Sequence, residues 1–176
     1  MTDQAINRAL SEVAAGNEAA FTELYREVYR PVFLLAAAIT RQTSLSEDIV
    51  QDVFTAVRVH ADRYRKGCSG RAWIYAITRN VAYSYLRHYR KEISVEQMPE
   101  EADGGVTEDI LGNLVTSEAL TTLNEAERAV VLLHVYNNMP LRAIADALQT
   151  PYGTIMWRYQ SAKKKLRSFY GDRPSK

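Results

Sequence analysis

One cysteine, Cys68, stands in a chain of 176 residues. It leaves no internal disulfide and no metal site built from several cysteines. Long apolar runs are missing too. Crossing a bilayer takes roughly 18 uncharged apolar residues, and the longest run, Val32 to Thr40, is about half that. The opening stretch MTDQAINRALSEV has an early Asp3 and no apolar signal core, so a secretory leader is not expected. Alternating Val/Ile/Thr runs bounded by turn dipeptides, the mark of strands, are nearly absent. His60, His88 and His134 stand apart, with no phosphate-cradling glycine loop and no metal-ligand cluster beside them. These absences predict a cytoplasmic protein that is not an enzyme, with no cofactor, no metal, no small-molecule substrate and no membrane insertion.

What is present is apolar content of 47%, enough for a globular core, and a segregated charge pattern. Residues 1–54 carry four basic and eight acidic side chains, and residues 55–91 nine basic and one acidic. Residues 92–127 carry ten acidic and no basic side chains, and residues 128–176 nine basic and two acidic. Two basic blocks around an acidic one suggest two polyanion-binding surfaces on a jointed chain; solvated helix faces are the plainer alternative.

Helical periodicity runs through most of the chain. Ala5 to Ala15 reads as a short amphipathic helix stopped by Gly16. Asn17 caps a second helix, in which Pro31 should cause a kink or mark a join. SLSEDIVQDVFTAVRVHADRY opens with Ser44 or Ser46 as cap and has its acids in the first turn. RKGCSG reads as a loop, followed by the long basic, aromatic helix RAWIYAITRNVAYSYLRHYRK. EISVEQMPEEADGGVTEDI has the composition of a linker. Beyond it, Asn124 and Glu127 form a capping-box pattern. The fold expected is all-α: two small helical domains, 1–91 and 117–176, joined by a flexible acidic linker, 92–116.

The C-terminal domain shows a short helix, LRAIADAL, a tight turn, QTPY, and a longer helix from Gly153. That order is the helix-turn-helix. Ile144, Ala145 and Leu148 should pack against Ile155 and Tyr159, with the small Ala145 allowing a close crossing. Thr150, ahead of Pro151, is pushed out of the α region, so the first helix must stop there. Gly153 and Thr154 offer backbone N–H groups to a DNA phosphate. Met156, Trp157, Arg158, Gln160, Ser161, Lys163 and Lys164 are placed toward the major groove. An ordinary helical hairpin is the alternative.

Read together, the two halves carry a resemblance. Glu47-Asp48-Ile49-Val50-Gln51-Asp52-Val53-Phe54, Trp73-Ile74 with Ile77, Arg79-Asn80 and Leu86-Arg87 resemble the promoter-melting domain of extracytoplasmic-function (ECF, group IV) sigma factors of bacterial RNA polymerase. Glu127-Arg128, Ile144-Ala145, Leu148, Pro151, Gly153-Thr154, Arg158, Ala162 and Leu166-Arg167 resemble that family's upstream-element-binding domain. The match covers about residues 18 to 170, in order, with the family's acidic linker between. Departures are Ser84 where an Asp is common, Asn137-Asn138 where a glycine is usual, Met156 and Trp157 at a tip usually basic or small, and Ser161 at a basic position.

The resemblance implies an alternative sigma factor that binds core polymerase through its clamp coiled coil and flap, reads the −10 and −35 elements and melts the former. It implies Glu47, Asp48, Gln51 and Asp52 as the core-binding face, where acids steer association with a basic partner. It implies Arg65, Arg71, Arg79, Asn80, Tyr83 and Arg87 for the −10 element, since unpaired bases stack on aromatics and arginines. The loop Arg65 to Arg71 would hold a flipped base; Trp73, Ala76 and Ile77 are expected in the core. The −35 set is the groove-facing group already given, with Gly153 and Thr154. A cognate anti-sigma factor is a further implied partner. The linker would follow the polymerase cleft or serve as a plain tether. Three alternatives stay open: a dimeric regulator binding DNA without polymerase, a protein-only interaction module, and a Trp157 that packs on Tyr152 or the NNMP turn instead of reading DNA.

Overall fold

The computed structural model describes residues 2–65, 68–92 and 117–171. The expected linker over 92–116 lies outside them, apart from Glu92 at a helix end. Helices form all the regular structure among the described residues. The first unit holds α1 (Asp3–Ala14), α2 (Glu18–Thr40), α3 (Thr43–His60), a 3₁₀ turn (Ala61–Arg63) and α4 (Gly70–Glu92). The second holds α5 (Ser117–Thr121), α6 (Glu125–Val131) running on as a π-helical turn (Leu132–Tyr136), α7 (Leu141–Ala147) and α8 (Tyr152–Gly171).

Several boundaries follow the local chemistry. Gly16 takes φ +85°, the left-handed conformation that ends α1. Asn17 Oδ1 accepts from the N–H groups of Ala19 and Ala20 and so caps α2. Asn124 and Glu127 complete a reciprocal capping box on α6. In the NNMP turn Asn138 takes φ +50°, which asparagine tolerates better than most side chains.

Other expectations fail. α2 is one helix through Pro31 to Thr40, so Pro31 marks no join. α3 starts at Thr43, and neither serine caps it. Ser46 is buried inside the helix, its hydroxyl donating to the Gln42 carbonyl at 2.7 Å, and no acid falls in the first turn. On α4 the fully buried stripe is Ile74, Tyr75, Thr78 and Ala82; Trp73, Ala76 and Ile77 are only half-buried at its flank. Trp73 still touches Tyr64, ring centroids 5.9 Å apart.

α2 is the central helix. It packs on α1, α3 and α4, and its far end packs on α6 and the π-helical turn of the second unit. Val32 through Thr40 are all buried, because this stretch has neighbours on both sides. A single apolar core therefore runs through both units. Polar ties cross the same boundary. The Arg128 guanidinium, 4% exposed, donates through Nε and Nη2 to the Ala38 carbonyl at 2.9 and 2.6 Å, and through Nη1 to Leu123 at 3.2 Å. Ala38 lies in the last turn of α2, where carbonyls lack helical partners and a cation is favoured. Arg41 answers from the other side, donating to the Leu123 carbonyl at 3.3 Å. Burial, and the neighbouring Arg41, push the Arg128 pKa down to about 10, so it keeps its charge at neutral pH.

Candidate nucleic-acid and polymerase interfaces

α3 divides cleanly. Ile49, Val53 and Phe54 are buried, while Glu47, Asp48, Gln51 and Asp52 all lie exposed on one face. Asp52 is not free: Tyr85 Oη on α4 donates to it at 2.7 Å, and that bond is the main cause lifting the Tyr85 pKa to about 12. Beside the acids runs an aromatic strip that sequence reading missed. Tyr25 lies 4.4 Å from Phe54 and 5.5 Å from Tyr29, centroid to centroid, and Phe21 meets Phe54 edge-on at 6.2 Å. Its signal was present as Phe21, Tyr25 and Tyr29, four residues apart on α2.

α4 begins under tight constraint. A Cβ on Gly70 would lie 2.7 Å from Leu10 and 2.8 Å from Asn7, and the Gly70 N–H donates to Asn7 Oδ1 at 2.7 Å. Glycine is therefore required for α1 and α4 to approach this closely. Of the −10 set, Arg79, Asn80, Tyr83 and Arg87 share one side of α4, with Asn80, Tyr83 and Arg87 exposed. Arg71 is apart from them: half-buried, it bonds Asp3 on α1 at 3.0 Å. Arg65 is exposed on the loop before α4; Lys66 and Gly67 lie outside the described residues. Cys68 is exposed, and its carbonyl accepts from Tyr64 Oη.

A cleft of about 830 Å³ opens where this loop faces the second unit. One wall is Arg63, Tyr64, Arg65 and Trp73; the other is Asp146, Gln149, Thr150 and Pro151.

The helix-turn-helix has the expected interior. Ile144, Ala145 and Ile155 are buried, with Leu148 and Tyr159 packed beside them. On α8, Gly153, Trp157, Gln160 and Lys164 are exposed, and Thr154, Met156, Arg158, Ser161 and Lys163 are half-buried. Trp157 is 65% exposed and borders a shallow hollow with Asn124, Glu125 and Ala126, not Tyr152 or the NNMP turn. Tyr152 instead lies beneath the Arg142 guanidinium, and Lys163 lies over the Tyr159 ring.

Ser161 faces inward. Its hydroxyl donates to Glu127 Oε1 at 2.7 Å, and Lys165 Nζ reaches Oε2 at 2.7 Å. Glu127 is 1% exposed. Burial alone would raise its pKa, but Lys165, Ser161 and the Asn124 N–H outweigh that and hold it below the ordinary 4.5. Among the described residues no cluster of His, Cys, Asp and Glu could hold a metal, and no helix is long and apolar enough to cross a membrane.

Comparison with known proteins matches this geometry. Residues 24–92 match the sigma-70 region 2 family model and residues 115–166 the sigma-70 region 4 model, together well over half of the chain. The ECF RNA polymerase sigma factor SigW of Bacillus subtilis is 23% identical over 92% of this chain and 95% of its own length. SigL of Mycobacterium tuberculosis is 26% identical over 90% of this chain and 93% of its own. The probable sigma factor RfaY of Xanthomonas campestris is 23% identical over 94% of this chain, which spans only 44% of that longer protein. Two solved structures share the fold. CnrH, in complex with the cytosolic domain of CnrY, gives a TM-score of 0.69 at 19% identity, over 96% of this chain and 99% of that one. RpoE of Bartonella quintana, in complex with the anti-sigma factor NepR, gives 0.64 at 23% identity, over 87% and 98%. With both sigma regions present in order on an all-helical frame, the chain belongs to the sigma-70 family and is an alternative sigma factor of the extracytoplasmic-function type.

Proposed function

We propose that residues 1–91 bind core polymerase and melt the −10 element, that 117–176 bind the −35 element, and that 92–116 tether them. Glu47, Asp48, Gln51 and Asp52 form the polymerase-docking face, with Tyr25 and Tyr29 beside it. Arg65, Arg79, Asn80, Tyr83 and Arg87 engage the unpaired −10 strand. Arg71 acts through its bond to Asp3, holding the start of α4 against α1. On α8, Gly153 and Thr154 take a phosphate, and Met156, Trp157, Arg158, Gln160, Lys163 and Lys164 face the groove. Ser161 supports α8 from within. The protein works in the cytoplasm, and an anti-sigma factor, as in the RpoE complex with NepR, is its regulator.

The observation that carries this reading is the division of the first unit: exposed acids on α3, exposed Asn, Tyr and Arg on α4. Acids favour a basic protein partner, and the α4 set favours unpaired bases and phosphates. Run-off transcription with purified core polymerase tests it. Wild type should give discrete start sites, and Asp48→Lys with Asp52→Lys should cut output at least tenfold with the fold intact by circular dichroism. Tight footprinting of an operator by the protein alone at physiological salt overturns the sigma reading in favour of a free-standing regulator.

A further inference from the structure

Gly153, Trp157, Gln160 and Lys164 are all exposed on α8. At 3.6 residues per turn they fall within about 60° of one another, so they form one stripe along the helix. Trp157 dominates its leading half, 65% exposed, and Gln160 follows one turn on. The cations of α8 lie beside this stripe or at its far end. Arg158 is half-buried on one flank. Lys163 lies over the Tyr159 ring on the other. Lys165 is held by the buried Glu127 carboxylate. Lys164 stands on the stripe itself, but about 10 Å farther along the axis than Trp157. The part of the stripe nearest the helix start therefore presents an indole and a carboxamide, without charge.

Base edges in the major groove tell such groups apart. Guanine is read by an arginine or lysine fork on O6 and N7, and the leading turns of the stripe have neither. Adenine is read by a carboxamide that bonds N6 and N7 together, the chemistry of Gln160. Thymine offers its C5 methyl, an apolar group suited to a ring that gains by leaving water. Trp157 and Gln160 differ by about 4.5 Å in rise along the helix, close to the spacing of about 3.4 Å between base pairs. Neighbouring base pairs thus lie within reach of the two side chains.

We infer that the −35 element of this sigma factor holds a thymine whose C5 methyl meets the Trp157 ring and, on the next base pair, an adenine bonded by Gln160. This rests on the groove-facing set proposed above. Met156, half-buried beside Trp157, completes the apolar tip, and Lys164 takes a phosphate beyond it.

The test uses full-length protein with core polymerase and a duplex promoter whose −35 element has been mapped by run-off transcription. Each thymine of the element is replaced in turn by deoxyuridine, which lacks only the methyl. At one position, output at limiting holoenzyme should fall about threefold, as expected for one methyl left unburied. On the neighbouring pair, 7-deazaadenine lacks the N7 acceptor and should lower output about tenfold. Trp157→Ser should transcribe the thymine and uracil promoters equally, and Gln160→Ala should be blind to the deaza change. Because both changes are made in the DNA, wild type alone can fail the test. Indifference of wild type to every deoxyuridine, or to 7-deazaadenine on the neighbouring pair, overturns the inference. So does a penalty that persists unchanged in the matching variant. Absence of transcription by wild type with core overturns the sigma reading instead.

Discussion

The two units reach stability by different means. The first is held by apolar surface: α1 to α4 enclose Ile6, Leu10, Leu24, Val28, Ile49, Val53 and Ile74, all fully buried. The second is smaller, and polar side chains sit in its interior. Glu127 ties α6 to α8, Arg128 ties α6 to α2, and His134 Nδ1 lies 2.7 Å from the Met139 carbonyl to fix the turn. A short chain buries a smaller fraction of its surface, so the second unit completes its core on the end of α2. The lesson is that its stability depends on its neighbour, whereas the first unit's depends on itself.

The largest expected effect breaks the self-sufficient side. Leu10→Ala, beneath Gly70, should cost about 2–5 kcal/mol and lower the whole melting transition. Next, Arg128→Ala leaves the Ala38 and Leu123 carbonyls unpaired at the boundary and should cost about 2–3 kcal/mol. Hydrogen exchange should then show α5 to α8 opening ahead of α1 to α4. Arg128→Lys should recover little, since one ammonium cannot reproduce the fork. A uniform loss of protection across both units would argue against the dependence of the second on the first.

A smaller effect comes from acid. The Glu127 pKa is lower folded than unfolded, so its contribution is present above about 4.5 and is lost as pH falls through the folded value. Ser161→Ala should remove about 1 kcal/mol at pH 7 and flatten the decline of stability below pH 4.5. A steep decline unchanged by that substitution would place the acid sensitivity elsewhere. The smallest effect is on Trp157→Ser: within about 0.5 kcal/mol in stability, because the ring is largely in solvent. Its effect should fall on −35 preference in run-off assays with altered promoters.

The sequence shows these contrasts unevenly. Local rules predicted the caps at Asn17 and Asn124, the stop at Gly16 and the helix-turn-helix interior, because each depends on neighbours within a few residues. Ser46 misled, since a serine before acids reads as a cap while its hydroxyl bonds back to Gln42. Helical spacing put Trp73 in the core, whereas it packs at the core's edge and Tyr75 fills the interior. Ser161 read as a gap in a basic face; its partner, Glu127, lies 34 residues earlier. Arg128 carried only a motif resemblance in the sequence, and it turns to a carbonyl 90 residues away. Contacts that distant leave no periodic trace.

That 90-residue separation sets an order of events during synthesis. At roughly 5–20 residues per second, Arg128 emerges about 5–18 s after Ala38. For that interval the nascent first domain presents the end of α2 to solvent, with its last carbonyls met by water. Any chaperone acting on this chain finds there an apolar surface that the chain itself later covers.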